Sequence, residues 1–169
     1  MALKPGSMRE AINNIYQKLI KNETLLRLLY YPPMSARNPD PLSDQLSNLV
    51  NPESEEYWNL VDDRIMLAEK TSDLEDRPLC RLYVYAGRRR PVFNNYQLAT
   101  QEVIINVFTH EYFEKDMRSV WISDVLNEIL TLKRISGFGQ LEYAGGNPLV
   151  APAGYKQYQH IYRYSDSKK

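Results

Sequence analysis

The residues from Leu79 to Leu132 constrain the fold more than any other stretch, because the period of their apolar residues changes from two to three-to-four partway along. Leu79-Cys80-Arg81-Leu82-Tyr83-Val84-Tyr85-Ala86 alternates, and Gln101 to Thr109 does so again. From Met117 to Leu132 the apolar positions recur every three or four residues. Period two marks a pleated strand and period 3.6 a helix. The stretch therefore predicts strand, basic loop, second long strand and amphipathic helix. In the first strand Cys80, Leu82, Val84 and Ala86 share one face, and Arg81, Tyr83 and Tyr85 the other. In the second, Val103, Ile105 and Val107 take the core face, with Ile104 and Phe108 on the opposite side. Asp116 is the expected helix cap. Met117, Trp121, Ile122, Val125, Leu126, Ile129 and Leu130 make a broad apolar face suited to packing on a sheet.

The segments before and after this unit complete an α+β pattern. Ser7 and Glu10 have capping-box spacing, and Met8, Ala11, Ile12, Ile15, Leu19 and Ile20 follow as a helical stripe. Asn22 can cap a second helix from Glu23 to Tyr30, which Pro32-Pro33 stops. Residues 32–60 read as an irregular excursion, with short helices or turns near 41–50 and 52–60. Asp40-Pro41 and Asn51-Pro52 each fit a cap followed by proline. Arg64 to Lys70 alternates loosely as a strand, and Thr71 to Pro78 is a polar loop. Gly137 and Gly139 break the chain after the central helix. Gly139 to Tyr143 reads as a short strand and Gly145-Gly146-Asn147-Pro148 as a turn or hairpin loop. Tyr155 to Tyr164 is the last strand, and 165–169 a polar tail. The expected architecture is one domain, 1–169. It has N-terminal helices at 8–30 and a core at 64–164, with a mostly antiparallel sheet of four to five strands packed against the N-terminal and central helices.

Composition narrows the function classes. With 21 basic and 21 acidic residues the formal charge is zero, which disfavours general binding to nucleic acid through phosphate neutralisation. The single cysteine, Cys80, allows no internal disulfide and reads as a small buried hydrophobe. No run approaches the ~20 apolar residues of a membrane helix, and the first residues do not resemble a signal peptide. A soluble protein made in a reducing cytoplasm is the expectation. Tyrosine is the outlier, with 13 copies against 4 Phe and 2 Trp. Its apolar ring and wet hydroxyl suit half-buried sheet faces and interfaces alike.

No constellation carries a reaction. His110-Glu111-Tyr112-Phe113-Glu114 lacks the second histidine of a zinc-protease helix and sits at a strand end. His160 is the only other histidine, and neither is visibly paired with a nucleophile. Asp62, Asp63, Asp73, Glu75 and Asp76 lie in polar segments as solvated charge. Gly137-Phe138-Gly139 and Gly145-Gly146 lack the lysine or helix start of a phosphate loop. The densest charge is Arg88-Arg89-Arg90, between Gly87 and Pro91, expected as a basic tip between strands. A solvated loop, an ion pair with an acidic neighbouring subunit and a phosphate contact all fit, because the guanidinium fork suits carboxylate and phosphate equally.

The order and texture of these elements resemble a known family. They are the capped first helix, Arg81-Leu82-Tyr83-Val84-Tyr85-Ala86-Gly87-Arg88-Arg89-Arg90-Pro91, the strand Gln101 to Phe108, the helix Arg118 to Leu130, and the glycine-bracketed hairpin ending in Tyr155-Lys156-Gln157-Tyr158. Over residues 8–30 and 64–164 the chain resembles the neck and tail-completion proteins of tailed bacteriophages, especially tail terminators. The resemblance implies a structural virion protein of the neck or tail, neither an enzyme nor a cofactor binder. It implies a homo-oligomer, a six-fold ring contacting the tail tube protein and a head-side connector or stopper. DNA meets it only by passing through the ring, and no membrane is involved. Arg88, Arg89, Arg90, Tyr83, Tyr85, Asn147, Tyr155 and Tyr158 are the candidate interface residues. Residues 32–60 and the arginine tip are expected to form one contact surface, and residues 144–154 a contact along the tube axis. A head-side adaptor, or a nucleic-acid-binding module using the arginines with stacked tyrosines, are the alternatives.

Overall fold

The computed structural model describes residues 7–75, 77–135 and 138–167; expectations placed on Asp76, Gly137, Lys168 and Lys169 fall outside them. Three helices come first: α1 (Ser7–Ile20), α2 (Glu23–Tyr30) and α3 (Glu55–Arg64). The strands β1 (Ile65–Met66), β2 (Cys80–Val92) and β3 (Asn95–His110) follow, then a 3-10 turn (Phe113–Asp116) and helix α4 (Arg118–Leu130). Strands β4 (Phe138–Leu149) and β5 (Tyr155–Ser167) end the described chain. The sheet order is β1-β2-β3-β5-β4, antiparallel except where the short β1 lies parallel to β2. The fold is α+β.

Alternation along the strands builds two cores. Cys80, Leu82 and Val84 of β2 join Val103, Ile105 and Val107 of β3 under α1, α2 and α4, with Ile15, Leu19, Leu25, Leu26, Ile122 and Leu126 fully buried. Each such side chain contributes on the order of 1.5–3 kcal/mol of transfer free energy. On the other face Tyr83 and Phe108 meet edge-to-face, 5.0 Å between ring centres, beneath Leu74 and Leu79. Ala86, expected in the core, is exposed, because it lies beyond the helices that cover the rest of its face.

Several boundaries differ from the sequence expectation, each for a local reason. The arginines do not form a loop. They extend β2 into a long hairpin arm that turns only at Phe93-Asn94, with Asn94 in the left-handed region at φ 58°. Asparagine tolerates that conformation, and ladder hydrogen bonds sustain pairing without a buried face. Bulges interrupt the arm between Ala86 and Arg89 and again at Pro91. β4 likewise runs through Gly145-Gly146-Asn147-Pro148, because an edge strand tolerates both a bulge and a residue without an N–H. The connection to β5 is therefore 150–154, and β5 itself continues through the supposed polar tail to Ser167. In the excursion 32–60 only α3 is helical, capped by Ser54 and not by Asn51; residues near 41–50 form turns.

Caps also move. Asn22 caps α2 as expected, its side chain accepting the Leu25 N–H at 2.8 Å. Ser7, in contrast, is the first helical residue of α1, and its hydroxyl donates to Asp166 of β5 at 2.6 Å. At α4 the cap position is Met117, left-handed at φ 55°. Asp116 cannot serve there because its carboxylate accepts Arg118 Nη2 at 2.7 Å. Glu114 takes over, accepting the Ser119 N–H at 2.9 Å and its hydroxyl at 3.0 Å.

Arg118 is the joint between helices. Its fully buried guanidinium lies over the Phe113 ring and donates to the carbonyls of Leu28, in the last turn of α2, and of Tyr31, its C-cap. The start of α4 thus satisfies the end of α2. Replacing Arg118 with alanine leaves those carbonyls and Asp116 without a partner inside the protein. We expect a loss of about 3–5 kcal/mol, measurable by urea unfolding.

Candidate assembly surface

The eight candidate residues do not form one patch. Tyr83 is fully buried, its hydroxyl donating to the Lys70 carbonyl. Half-buried Tyr85 and Tyr155 pack beside it; Tyr85 accepts the Asn106 amide at 2.8 Å, and the Tyr155 hydroxyl donates to the Arg77 carbonyl. These three tyrosines are one structural cluster on the sheet face away from the helices. Tyr158 lies on the other face, its ring 4.9 Å from that of His160 and against Gly146. Asn147 is not a loop residue but an exposed position in β4, opposite Gln159.

The arginines divide. Arg89 is committed within the chain: Nη1 donates to Asp166 Oδ2 at 3.0 Å, and the same carboxylate accepts the Ser7 hydroxyl. Asp166 is buried, so Arg89 anchors the arm to β5 and α1. Arg88 and Arg90 are exposed, and neither guanidinium has an ion pair among the described residues. Together with Phe93, which is 90% exposed at the tip, they are what the arm offers outward.

The excursion is held down against α2. Glu23, on α2, accepts the N–H groups of Leu49 and Val50 at 3.0 and 3.1 Å. Arg27, one turn along and paired with Glu23, donates to the carbonyls of Ser43 and Leu46 at 2.8 and 3.1 Å. The Tyr31 hydroxyl donates to the Ser47 carbonyl at 3.0 Å. Leu42, Leu49 and Val50 then pack against the core. The Glu23–Arg27 spacing of four is a legible helix pair, but nothing in sequence says that its second task is to bind a loop.

Two further polar groups were missed. Arg81, fully buried, donates to both carboxylate oxygens of Asp73 at 2.8 and 2.9 Å and to Asp63 at 3.0 Å. Its hydrogen bonds hold the Asp73 carboxyl down at about 2. Burial pushes the Asp63 carboxyl up, but the Arg77 hydrogen bond and the charges of Arg64, Arg77 and Arg81 leave it below its usual range. Of the carboxylates expected as solvated charge, Asp63 and Asp73 are instead partners of one buried cation, while Asp62 and Glu75 are exposed. The second group is His160, which does touch a serine: Nε2 lies 2.8 Å from Ser123 Oγ. The Ser123 hydroxyl also meets the Ser119 carbonyl at 2.7 Å, and Nδ1 lies 3.2 Å from the Tyr143 hydroxyl. These contacts tie α4 to the sheet through a buried imidazole. Among the described residues no group of three His, Cys, Asp or Glu side chains is placed to hold a metal, and no helix is long and apolar enough to cross a membrane.

Replacing Glu23 with alanine should release residues 42–50 and leave the sheet in place. The expected readout is faster protease cleavage there, with a global stability loss of about 1–3 kcal/mol. His160 generates a pH prediction. Burial holds its pKa at about 4, below the unfolded value of 6.5. Its contribution is complete above pH 6.5 and is lost as pH falls towards 4, by up to about 3 kcal/mol. In His160→Gln that part of the acid slope should disappear from denaturation curves measured between those values.

Comparison with known proteins places the chain. The YomW family model matches residues 22–164. A curated relative, the SPbeta prophage-derived uncharacterized protein YomW of Bacillus subtilis (strain 168), is 32% identical over 169 residues, covering 94% of this chain and 97% of that protein. The chain belongs to the YomW family. Among solved structures, a chain from the virion of a native gene transfer agent particle shares the fold with a TM-score of 0.54. It is 14% identical, and the match covers 98% of this chain and 100% of that one.

Proposed function

We propose that this YomW-family chain is a structural protein of a phage virion, and within that class a tail terminator or tail-completion subunit. In this reading several copies close into a ring, six-fold in the terminator pattern. The ring caps the tail tube and presents a surface to the head-side connector, and DNA passes through its centre. The observation that carries the reading is the end-to-end match of the fold to a virion chain, with no unmatched domain on that chain. The prophage origin of the 32% identical relative supports it independently.

The chemistry of the surface agrees with a role in assembly and not in catalysis. The Ser123–His160 contact is enclosed between α4 and the sheet, and the half-buried carboxylates Asp63 and Asp73 are paired with arginine. Exposed apolar and cationic side chains stand at the two ends of the sheet. Phe93 and Arg88 with Arg90 are at one end, and Val150, 97% exposed, is at the other. A subunit stacked between a tube and a connector needs two such ends. The nucleic-acid alternative loses ground because Arg89 is occupied, leaving two arginines of the triplet facing outward on a chain of zero net charge.

The reading is tested by light scattering and negative-stain imaging of the purified protein, alone and with purified tail tubes. Rings free in solution or at tube ends are expected. A monomer that neither self-associates nor binds tube ends would overturn it.

A further inference from the structure

The arm and α3 are complementary surfaces that one chain cannot bring together. Buried Tyr57 and Val61 hold α3 to the core, with the Tyr57 hydroxyl donating to the Ile20 carbonyl at 2.9 Å. The opposite stripe, Glu55, Trp58, Asn59 and Asp62, is exposed. Neither Glu55 nor Asp62 has an ion pair among the described residues. Trp58 between them is 41% exposed, its indole N–H tied to the Pro52 carbonyl and its ring packed on Tyr57. Glu55 and Asp62 are two helical turns apart, about 10 Å. Arg88 and Arg90 are two strand residues apart, about 7 Å, on an arm that also carries Phe93. Two cations flanked by an aromatic thus match two carboxylates flanking an aromatic, at similar spacing. Guanidinium groups pair with carboxylates and also stack on indole faces.

Within one chain the two are separated. α3 ends where Ile65 pairs with Leu82, six residues and about 20 Å down β2 from Arg88. On the ring reading above, we infer that the arm of one subunit docks through Arg88 and Arg90 onto the Glu55–Trp58–Asp62 stripe of the next copy. The contact uses two different surfaces of the same chain, so repeating it generates a closed ring or an open filament, not a two-fold dimer.

Charge reversal tests this with its own rescue. Arg88→Glu with Arg90→Glu gives a chain acidic on both surfaces, and Glu55→Arg with Asp62→Arg gives one basic on both. Each should remain monomeric by light scattering under conditions where the wild type forms rings, with unchanged circular dichroism and melting temperature. Mixed one to one, they should assemble, since every junction is again complementary, and the rings should contain equal numbers of each in alternation. A chain carrying all four reversals should assemble alone. Wild-type rings, and those restored by mixing, should dissociate as salt rises. If the reversed chains still form rings by themselves, or if mixing and the four-fold reversal both fail to restore them, the inference is wrong while the ring reading stands. If the wild type makes no ring even on tail tubes, both fall.

Discussion

β3 is the strand on which the rest of the structure depends. It is paired along its length to β2 on one side and to β5 on the other, from Leu98↔Ser167 to His110↔Tyr155 without a register shift. Side chains alternate across a strand, so a slip of one residue would carry Val103, Ile105 and Val107 out of the helix-covered core and put Glu102, Ile104 and Asn106 in their place. The unbroken β3–β5 register also sets where His160 and Tyr162 meet α4. His160 reaches Ser123, and the Tyr162 hydroxyl donates to Asn127 at 2.7 Å.

Around this strand, buried ions take the place that a larger apolar core would have. Arg81 gathers the 63–73 segment onto β2, Arg118 joins α2 to α4, and Glu23 with Arg27 gathers residues 43–50 onto α2. In each case a charged group satisfies backbone or carboxylate groups that would otherwise lie dry and unpaired. Such ties need not exceed hydrophobic packing in stability, but each fixes one arrangement of an irregular segment. Prolines and turns alone would leave the excursion without a defined path.

The sheet and helices were legible in the sequence because burial imposes a period. Val103, Ile105 and Val107, and likewise Leu25, Leu26, Leu28 and Leu29, declare their elements by spacing. The arm was not legible, since its pairing is satisfied by backbone groups and its side chains meet water on both sides. Arg88, Arg89 and Arg90 therefore read as a loop. Asp116 misled because its preference for a cap yielded to a neighbouring buried guanidinium. Tyr83 misled in another way: tyrosine is equally at home in a core and at an interface, and only the carbonyl of Lys70, thirteen residues earlier, decides between them. Long-range partners of this kind leave no local trace.

The composition of β4 has a consequence for solubility. As the last strand of the sheet it has an outer edge, paired at Leu141 with Leu132 and Lys133, and the rest of that edge is the natural template for fibrous, strand-to-strand aggregation. Pro148 removes an N–H from the strand, and the irregular pairing between Tyr143 and Gly145 interrupts its course. Gly146 cannot be exchanged for a larger residue to straighten it, since a Cβ there would stand 2.5 Å from the Tyr143 hydroxyl and 2.7 Å from the Tyr158 ring. The same glycine that lets two tyrosines close over His160 thereby helps to keep copies of the chain from joining edge to edge.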